Sequence, residues 1–448
     1  MAFRLLERLY ADPPMVDVWS EHGTVRAWLR VEAALAQAQA DAGVLDRADA
    51  DAIGAACRLD AIDLDRLWAG ARNVGYPILP LVRMIADKLP AGPDGRVHWG
   101  ATTQDIMDTA LSLQLGAAGD RLAELLVAFG DALAQLTERH AGTVMPARTH
   151  AQQAVPTTFG AKTAVLLGEV ARHLTEMRRL TADARVVSLF GAGGTNAALG
   201  PRSAQVRRAL AGRLDLADTG VPWHVARDRV TRFGLGCATV AATCVRFARE
   251  VIDLSRTELG EVHEPAGHHR GASSTMPQKA NPISSEAVIG FGVATGGAAG
   301  TLLRAMEAGH ERAAGEWQIE WMAVPVAAEG SAAALRLAGE TAAGLRVSPA
   351  AMRRNLAADG GLLMAEALMI RSAEVLGRER AHDLAYAAAE RARRDGTDLV
   401  TEFGAELPAG VAAALGSLRI EHADYVGEAA QICAAAVREW HEHKGAMA

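Results

Sequence analysis

The sequence predicts an all-α protein, and three observations support this fold class. Half of the chain is hydrophobic, but aromatic residues make up only 4% of it. Alanine, leucine and glycine are abundant, which favours close packing of helices over a sheet core built from β-branched and aromatic residues. Long stretches carry apolar residues at intervals of three and four, the period of an α-helix. We therefore expect long helices, each burying one face.

The first part of the chain predicts a small helical domain, which we place at residues 1–105. Apolar residues of the segment 24–42 fall at helical spacing, and a shorter apolar helical stretch lies around residues 64–68. The turn-rich segments 73–77 and 90–95 separate these helices from a polar stretch that enters a longer helix.

The middle of the chain, residues 106–346, predicts a domain of long helices. The first should end near His140, and a second should run from about 157 to 180. A helical pattern also resumes over residues 283–306. The most regular pattern alternates spacings of three and four at Val230, Phe233, Cys237, Val240, Cys244, Phe247, Val251 and Leu254.

Such long helices need partner helices, and a bundle is the simplest arrangement that buries them. The partners could come from the same chain or from other subunits, and periodicity alone leaves both open. A new unit begins near Ser348, because serine followed by Pro349 is typical of a helix N-cap and first helical position. We therefore place a third, helical domain at residues 347–448.

Charge and cysteine content exclude several classes of function. The net charge of −7, with no compensating run of lysine or arginine, argues against nucleic-acid or membrane-surface binding. The four cysteines lack CxxC spacing and predict reduced core thiols. The N-terminus has no signal-peptide pattern, and no run of 18 apolar residues is present. We expect a cytoplasmic enzyme that binds neither metal nor membrane.

Polar segments at predicted helix ends hold the candidate chemistry. They are residues 102–105, residues 148–153 and the loop 267–282, which is rich in glycine, proline and hydroxyl residues. Each alone has a plain structural interpretation as a helix cap, an interior histidine or an ordinary loop. Together they place hydroxyls, amides, a histidine and a lysine at helix ends, where free backbone amides favour anions. Pro282 suits the first position of a helix.

These segments resemble the three motifs of the aspartase/fumarase superfamily. Residues 271–282, GASSTMPQKANP, are similar to its signature loop, and residues 101–105 and 148–150 resemble its other two conserved regions. The superfamily includes argininosuccinate and adenylosuccinate lyases and 3-carboxy-cis,cis-muconate cycloisomerase. The resemblance implies a three-domain, mostly helical chain, a homotetramer with a 20-helix core, and active sites shared between subunits. It implies a small dicarboxylate substrate and no cofactor.

The resemblance also implies roles for individual residues. Ser273 would remove a proton beside a substrate carboxylate, Lys279 and Asn281 would hold the resulting aci-carboxylate, and His150, oriented by Glu286, would bind substrate or assist the leaving group. A serine hydroxyl is a weak acid, so the loop must exclude water and surround its oxygen with backbone amides. The remaining expected substrate-binding residues are Thr102, Thr103, Gln104, Thr149, Ser274, Met276 and Arg312.

Departures from the superfamily pattern bear on the substrate. The segment 310–321 around Arg312 resembles the cycloisomerase branch and lacks the phosphate-binding residues of adenylosuccinate lyases. Bacterial cycloisomerases tend to carry tryptophan where this chain has His150, which favours a fumarate-releasing lyase. Ala272 stands where glycine is more usual, and Ala280 where arginine is common.

We therefore expect a lyase that eliminates HX from a substituted succinate to give fumarate, X being an amine or a nitrite-like group. A lactonising cycloisomerase and an inactive helical scaffold are the alternatives. Two further patterns do not predict a site. The glycine-rich stretch 191–196 lacks phosphate-loop spacing, and His263, His268 and His269 lack the partners of a zinc site.

Overall fold

A computed structural model describes residues 4–415 and 417–446. Over these residues the chain forms the α-helices Leu5–Tyr10 (α1), Pro13–Trp19 (α2), Glu21–Asp41 (α3), Arg47–Ala56 (α4), Leu64–Val74 (α5), Ile78–Ala86 (α6), Thr103–Arg139 (α7), Phe159–Ala184 (α8), Ser203–Leu214 (α9), Asp228–Leu254 (α10), Ile283–Ala305 (α11), Glu316–Ala343 (α12), Pro349–Leu356 (α13), Ala365–Leu376 (α14), Arg378–Asp395 (α15), Leu399–Glu406 (α16), Ala409–Leu415 (α17) and Ala429–Gly445 (α18). The strands are Val144–Thr149 (β1), Gln152–Thr158 (β2), Val262–His263 (β3) and Arg346–Val347 (β4). The all-α prediction is confirmed.

The long helices lie where the apolar period predicted them. Helix α7 ends at Arg139, one residue before the predicted end, and α8 and α10 cover the second and third predicted helices. Every residue of the heptad-like pattern in α10 is buried, with at most 6% of its surface exposed. A stripe at spacings of three and four stays on one helix face, which explains why local pattern was sufficient here.

Two compact units make up the chain, and each combines distant segments. The first unit contains residues 4–125, 173–244 and 290–336. Its core is built around α3, which packs against α4 and α9. It also contains the N-terminal end of α7, where the segment 102–105 lies.

The second unit contains residues 126–172, 245–289, 337–415 and 417–446. Strands β1 and β2 form an antiparallel hairpin, and β3 pairs with β4. Helix α13 packs against β1, and α15 packs against α14 and α16. The side chain of Ser348 accepts the N–H of Ala351, so the predicted N-cap of α13 is confirmed. The boundaries at residues 105 and 346 remain predictions.

Helix α11 differs from its prediction in two respects. It begins at Ile283, so Pro282 lies just before the helix, and its carbonyl accepts the N–H of Glu286 at 3.0 Å. By length and composition alone the helix could cross a membrane, although no run of 18 apolar residues is present in the sequence. In the structure, 33% of its most apolar 18-residue window is buried.

Candidate active site

The signature loop is closed at its base by Gly271 and Asn281, in the second unit. The backbone N–H of Asn281 donates to the Gly271 carbonyl at 2.8 Å, and the Asn281 side-chain amide donates to the same oxygen at 3.1 Å. Gly271 has a φ of +69°, and a Cβ at this position would lie 2.4 Å from the Asn281 carbonyl oxygen. Glycine is therefore required where the two arms of the loop meet.

Glu264 fixes this loop to the start of α11. Its carboxylate accepts the Ser285 N–H and hydroxyl, both at 2.7 Å, and the Ser284 N–H at 3.2 Å. Arg270, inside the loop, donates to the Ser284 hydroxyl at 2.6 Å. The carboxylate is buried at a helix N-terminus, where the unpaired amides and the helix dipole both favour a negative charge. Sequence reasoning did not identify Glu264.

Two backbone amides point at the hydroxyl oxygen of Ser273. The N–H of Met276 donates to Oγ at 3.1 Å, and that of Thr275 donates at 3.3 Å. Donors fixed in this way stabilise negative charge on the oxygen, which is what a serine base requires. Ser273 itself is half-buried, whereas Ser274, Met276 and Lys279 are exposed.

His150 lies at the tip of the β1–β2 hairpin, beside Thr149. His150 and Ala151 form the two-residue turn with φ angles of +49° and +62°. Positive φ at both positions is typical of a type I′ turn, which usually contains Asn-Gly. A β-carbon at each position costs roughly 1–2 kcal/mol, so the turn is strained. The sequence predicted neither this hairpin nor the strain.

A largely buried ion pair between Arg148 and Glu261 holds the hairpin in place. Arg148 donates from both terminal nitrogens to Glu261, at 2.7 and 2.8 Å. The Asn355 amide donates to Glu261 at 2.7 Å, and Gln153 donates to the Asn355 carbonyl at 3.2 Å. His150 and Glu286 are both exposed, and within the described part of the second unit no hydrogen bond joins them. Their pairing remains a prediction.

Within the first unit, Arg312 connects the predicted segment 102–105 with the glycine-rich stretch 191–196. Its Nε donates to the Gln104 side-chain oxygen at 3.0 Å, and Nη1 donates to the Thr102 hydroxyl at 3.3 Å. Nη2 donates to the carbonyl of Ala192, in the glycine-rich stretch, at 3.4 Å. Thr103, the first residue of α7, lies between Thr102 and Gln104. A guanidinium beside a helix N-terminus is well suited to bind a carboxylate.

Asp105 ties the start of α7 to the glycine-rich stretch. It accepts backbone N–H groups of Thr102 at 3.0 Å and of Phe190 and Gly191 at 2.9 Å, and it pairs with His224 at 2.8 Å. Burial alone would raise the pKa of Asp105, but His224 and the backbone amides of Phe190 and Thr102 outweigh burial and lower the pKa. Asp105 is therefore a helix cap, as one interpretation of the segment 102–105 predicted. It also links the start of α7 to the distant residues 190–191.

A buried ionic cluster behind this site was not predicted. Arg227 donates to Asp108 at 2.8 and 3.0 Å and to Glu320 at 2.8 Å. Asp108 also accepts the side-chain amide of Gln104 at 3.1 Å, which connects the cluster to Arg312. The feature of the sequence that could have indicated this cluster is Asp108, an aspartate that lies one turn after Asp105 inside an apolar helix. Among the described residues no group of three His, Cys, Asp or Glu could hold a metal ion.

Comparisons with known proteins bear on the family and on the fold of the chain. Residues 8–296 match the model of a protein family described as "Lyase". The 3-carboxy-cis,cis-muconate cycloisomerase of Pseudomonas aeruginosa is 39% identical over 98% of this chain and 97% of its own. The N-acetyl-S-(2-succino)cysteine lyase of Dickeya dadantii is 33% identical over 86% and 84%. The structure of the 3-carboxy-cis,cis-muconate lactonizing enzyme of Pseudomonas putida has a TM-score of 0.92, with 36% identity over 99% and 100% of the two chains.

Proposed function

Because the chain belongs to the lyase family of the aspartase/fumarase superfamily, we propose that it eliminates HX from a substituted succinate to give fumarate, X being an amine or a nitrite-like group. The observation that carries the proposal is the environment of Ser273. Two backbone amides already donate to its Oγ, so the alkoxide needed to remove a carbon-bound proton is stabilised. The name of the Dickeya relative supports a succinate skeleton, since that lyase acts on a 2-succino thioether.

The chemistry follows in two steps. Ser273 Oγ takes a proton from the carbon beside a carboxylate, and the electron pair of the C–H bond moves into that carboxylate to give a dianionic aci-carboxylate. Lys279 and Asn281 stabilise this charge. The pair then returns to form the C=C bond as the C–X bond breaks, and X leaves with a proton supplied or relayed by His150. Arg312 and the residues 102–104 bind the second carboxylate.

We also propose that the enzyme is a homotetramer with active sites shared between subunits. His150 and Glu286 are exposed and unpaired with each other in the described part of one chain, so the expected contact between them would need a second copy. Large apolar residues are exposed on the long helices, including Val293 on α11 at 68% and Met322 on α12 at 77%. Exposed apolar side chains on neighbouring long helices are typical of subunit interfaces.

A lactonising cycloisomerase is the second candidate. It is favoured by the 39% identity to the Pseudomonas aeruginosa cycloisomerase over nearly the whole of both chains. Lactonisation is an addition, and the same base and aci-carboxylate machinery would serve it in the opposite direction. The two candidate functions differ in their substrate, and both would use the loop that carries Ser273.

Product analysis separates the two candidates. The full-length protein would be incubated with aspartate, argininosuccinate and nitrosuccinate, and separately with 3-carboxy-cis,cis-muconate, while fumarate and lactone are measured. The proposal expects fumarate from at least one substituted succinate. Lactone formation from carboxymuconate, with no fumarate from any of the succinates, would overturn it in favour of the cycloisomerase.

An inactive scaffold is tested by Ser273→Ala. Loss of the base is expected to lower turnover by roughly 10²–10⁴-fold. The exposed Ser417, which is remote from the loop in sequence, offers the matched control Ser417→Ala, which should retain wild-type turnover. Equal turnover of both variants and the wild type would remove Ser273 from the mechanism.

A further inference from the structure

The side-chain amide of Gln104 uses both of its hydrogens within the protein. Its nitrogen donates to the carbonyl of His224 at 2.8 Å and to the carboxylate of Asp108 at 3.1 Å. Its oxygen accepts the Nε–H of Arg312 at 3.0 Å. The side chain is buried, with 1% of its surface exposed. An amide nitrogen carries only two hydrogens, so Gln104 has none left to donate to a substrate carboxylate.

The partners of Gln104 allow only one orientation of its amide. Carbonyl and carboxylate oxygens accept hydrogen bonds, whereas a guanidinium can only donate. A reversed amide would point its NH₂ at Arg312 and its oxygen at two other oxygens. Asp108 is itself fixed, because Arg227 donates to both of its oxygens at 2.8 and 3.0 Å and Trp317 donates to it at 3.2 Å. The amide oxygen of Gln104 is therefore held toward Arg312.

The positive charge of Arg312 is not compensated by a carboxylate. Its guanidinium donates to neutral oxygens, including the Gln104 amide oxygen and the Thr102 hydroxyl, and it forms no ion pair with any residue that the structure describes. Asp108, which could compensate this charge, pairs with Arg227 instead. The neutral amide of Gln104 is bonded to Asp108 on one side and to Arg312 on the other. The charge of Arg312 is therefore available to an anionic ligand.

We propose that Gln104 is a positioning residue, which orients the Arg312 guanidinium toward the second substrate carboxylate and separates it from Asp108, and which does not contact the substrate itself. This inference rests on the proposed function, which places Arg312 at that carboxylate. Three bonds to the protein leave two of the five N–H groups of Arg312 for a ligand. A guanidinium binds a carboxylate through a planar pair of N–H donors, so its orientation decides the strength of the contact.

The nitronate form of 3-nitropropionate is a suitable probe of this role. It carries a carboxylate at one end and, at the other, a planar anion that resembles the aci-carboxylate. Ligands that resemble a reaction intermediate bind more tightly than substrates, so binding to weakened variants stays measurable. Calorimetry would give its dissociation constant for full-length wild type, Gln104→Met, Arg312→Met and the double variant. Gln104→Met is expected to bind it roughly tenfold more weakly than wild type, and the double variant as weakly as Arg312→Met alone.

A residue that contacts the ligand directly would give a different result. The same loss of affinity with and without Arg312 would show that Gln104 touches the ligand, and it would overturn the inference while the proposed function stands. Unchanged affinity in Gln104→Met would overturn the inference as well. A wild type that binds the nitronate no more tightly than fumarate would instead refute the aci-carboxylate mechanism, and with it the proposed function on which the inference rests.

Two more variants separate positioning from stability. Gln104→Glu has nearly the shape of the wild type and serves if circular dichroism shows that Gln104→Met does not fold. Its carboxylate would compensate the charge of Arg312, so nitronate binding should weaken at least roughly tenfold, and by much less beside Arg312→Met. Asp12→Asn removes a buried charge paired with Arg121 in the same unit. It should lower the urea midpoint but keep the wild-type affinity, and a tenfold loss there would attribute the effect of Gln104→Met to stability and overturn the inference.

Discussion

Replacing Glu264 by glutamine is expected to loosen the loop that carries Ser273 and to lower the free energy of unfolding. The carboxylate accepts three hydrogen bonds, from the Ser284 N–H, the Ser285 N–H and the Ser285 hydroxyl, and it is buried. Glutamine has nearly the same shape but only one acceptor oxygen. If that oxygen keeps the bonds to Ser285, the glutamine NH₂ faces the Ser284 N–H, and two donors oppose each other.

The size of the effect follows from these contacts. A buried N–H that loses its acceptor costs about 1–3 kcal/mol. The lost negative charge at the N-terminus of α11 costs about 0.3–2 kcal/mol more. We therefore expect Glu264→Gln to lower the free energy of unfolding by roughly 1–5 kcal/mol. Because Glu264 holds the base of the loop, part of this loss should appear as local opening before global unfolding.

Urea unfolding and limited proteolysis measure the two parts separately. Trypsin should cut after Lys279 faster in Glu264→Gln than in the wild type, at urea concentrations where circular dichroism still reports native helix content. For stability, Glu286→Gln is the matched control, since Glu286 lies in the first turn of the same helix but is exposed. It should cost only about 0.3–1 kcal/mol. Equal unfolding midpoints and equal cleavage rates in both variants would show that Glu264 does not anchor the loop.

Three further substitutions test the geometry at single positions. Gly271→Ala should lower the unfolding free energy, measured in urea, by at least about 2 kcal/mol, because its Cβ would meet the Asn281 carbonyl at 2.4 Å. Asp105 has a lowered pKa, so its stabilisation is present above its unfolded pKa of about 3.9 and is lost as the pH falls through the folded value. The stability difference between wild type and Asp105→Asn, from urea midpoints across pH, should therefore shrink below about pH 4. Ala151→Gly should leave the thermal midpoint unchanged or raised, since relief of a φ of +62° offsets the entropy that glycine adds to the unfolded chain.

The long helices could be predicted from the sequence because their signal is local and repeated. In α10 the apolar residues keep one helical phase from Val230 to Leu254, over nearly seven turns of about 3.6 residues. The three candidate segments could also be located, since glycine, proline and hydroxyl residues interrupt this period. Their resemblance to the superfamily motifs supplied the roles, which the residue types alone leave open.

The hairpin that carries His150 could not be predicted in the same way. Its strands are short, and they lie between two long helices whose periodic signal dominates the surrounding sequence. Its turn contains His150 and Ala151 in place of the glycine or asparagine that marks such turns. The strain is therefore visible only from the backbone. A strained turn with an exposed histidine at its tip is consistent with a functional position.

The buried carboxylates explain why the positions of the site residues also required the structure. Carboxylates are mostly exposed in proteins, so nothing in the sequence distinguishes Glu261 and Glu264 from surface residues. The sequence indicates Asp105 as a helix cap but does not indicate its distant partners. In the structure each joins segments far apart in the chain: Asp105 binds backbone at residues 190–191, and Glu261 joins Arg148 to Asn355. The packed faces of the long helices are apolar, whereas the candidate site segments are held in place by these buried carboxylates. Substitution of the carboxylates should therefore disorder the site segments before it affects the long helices.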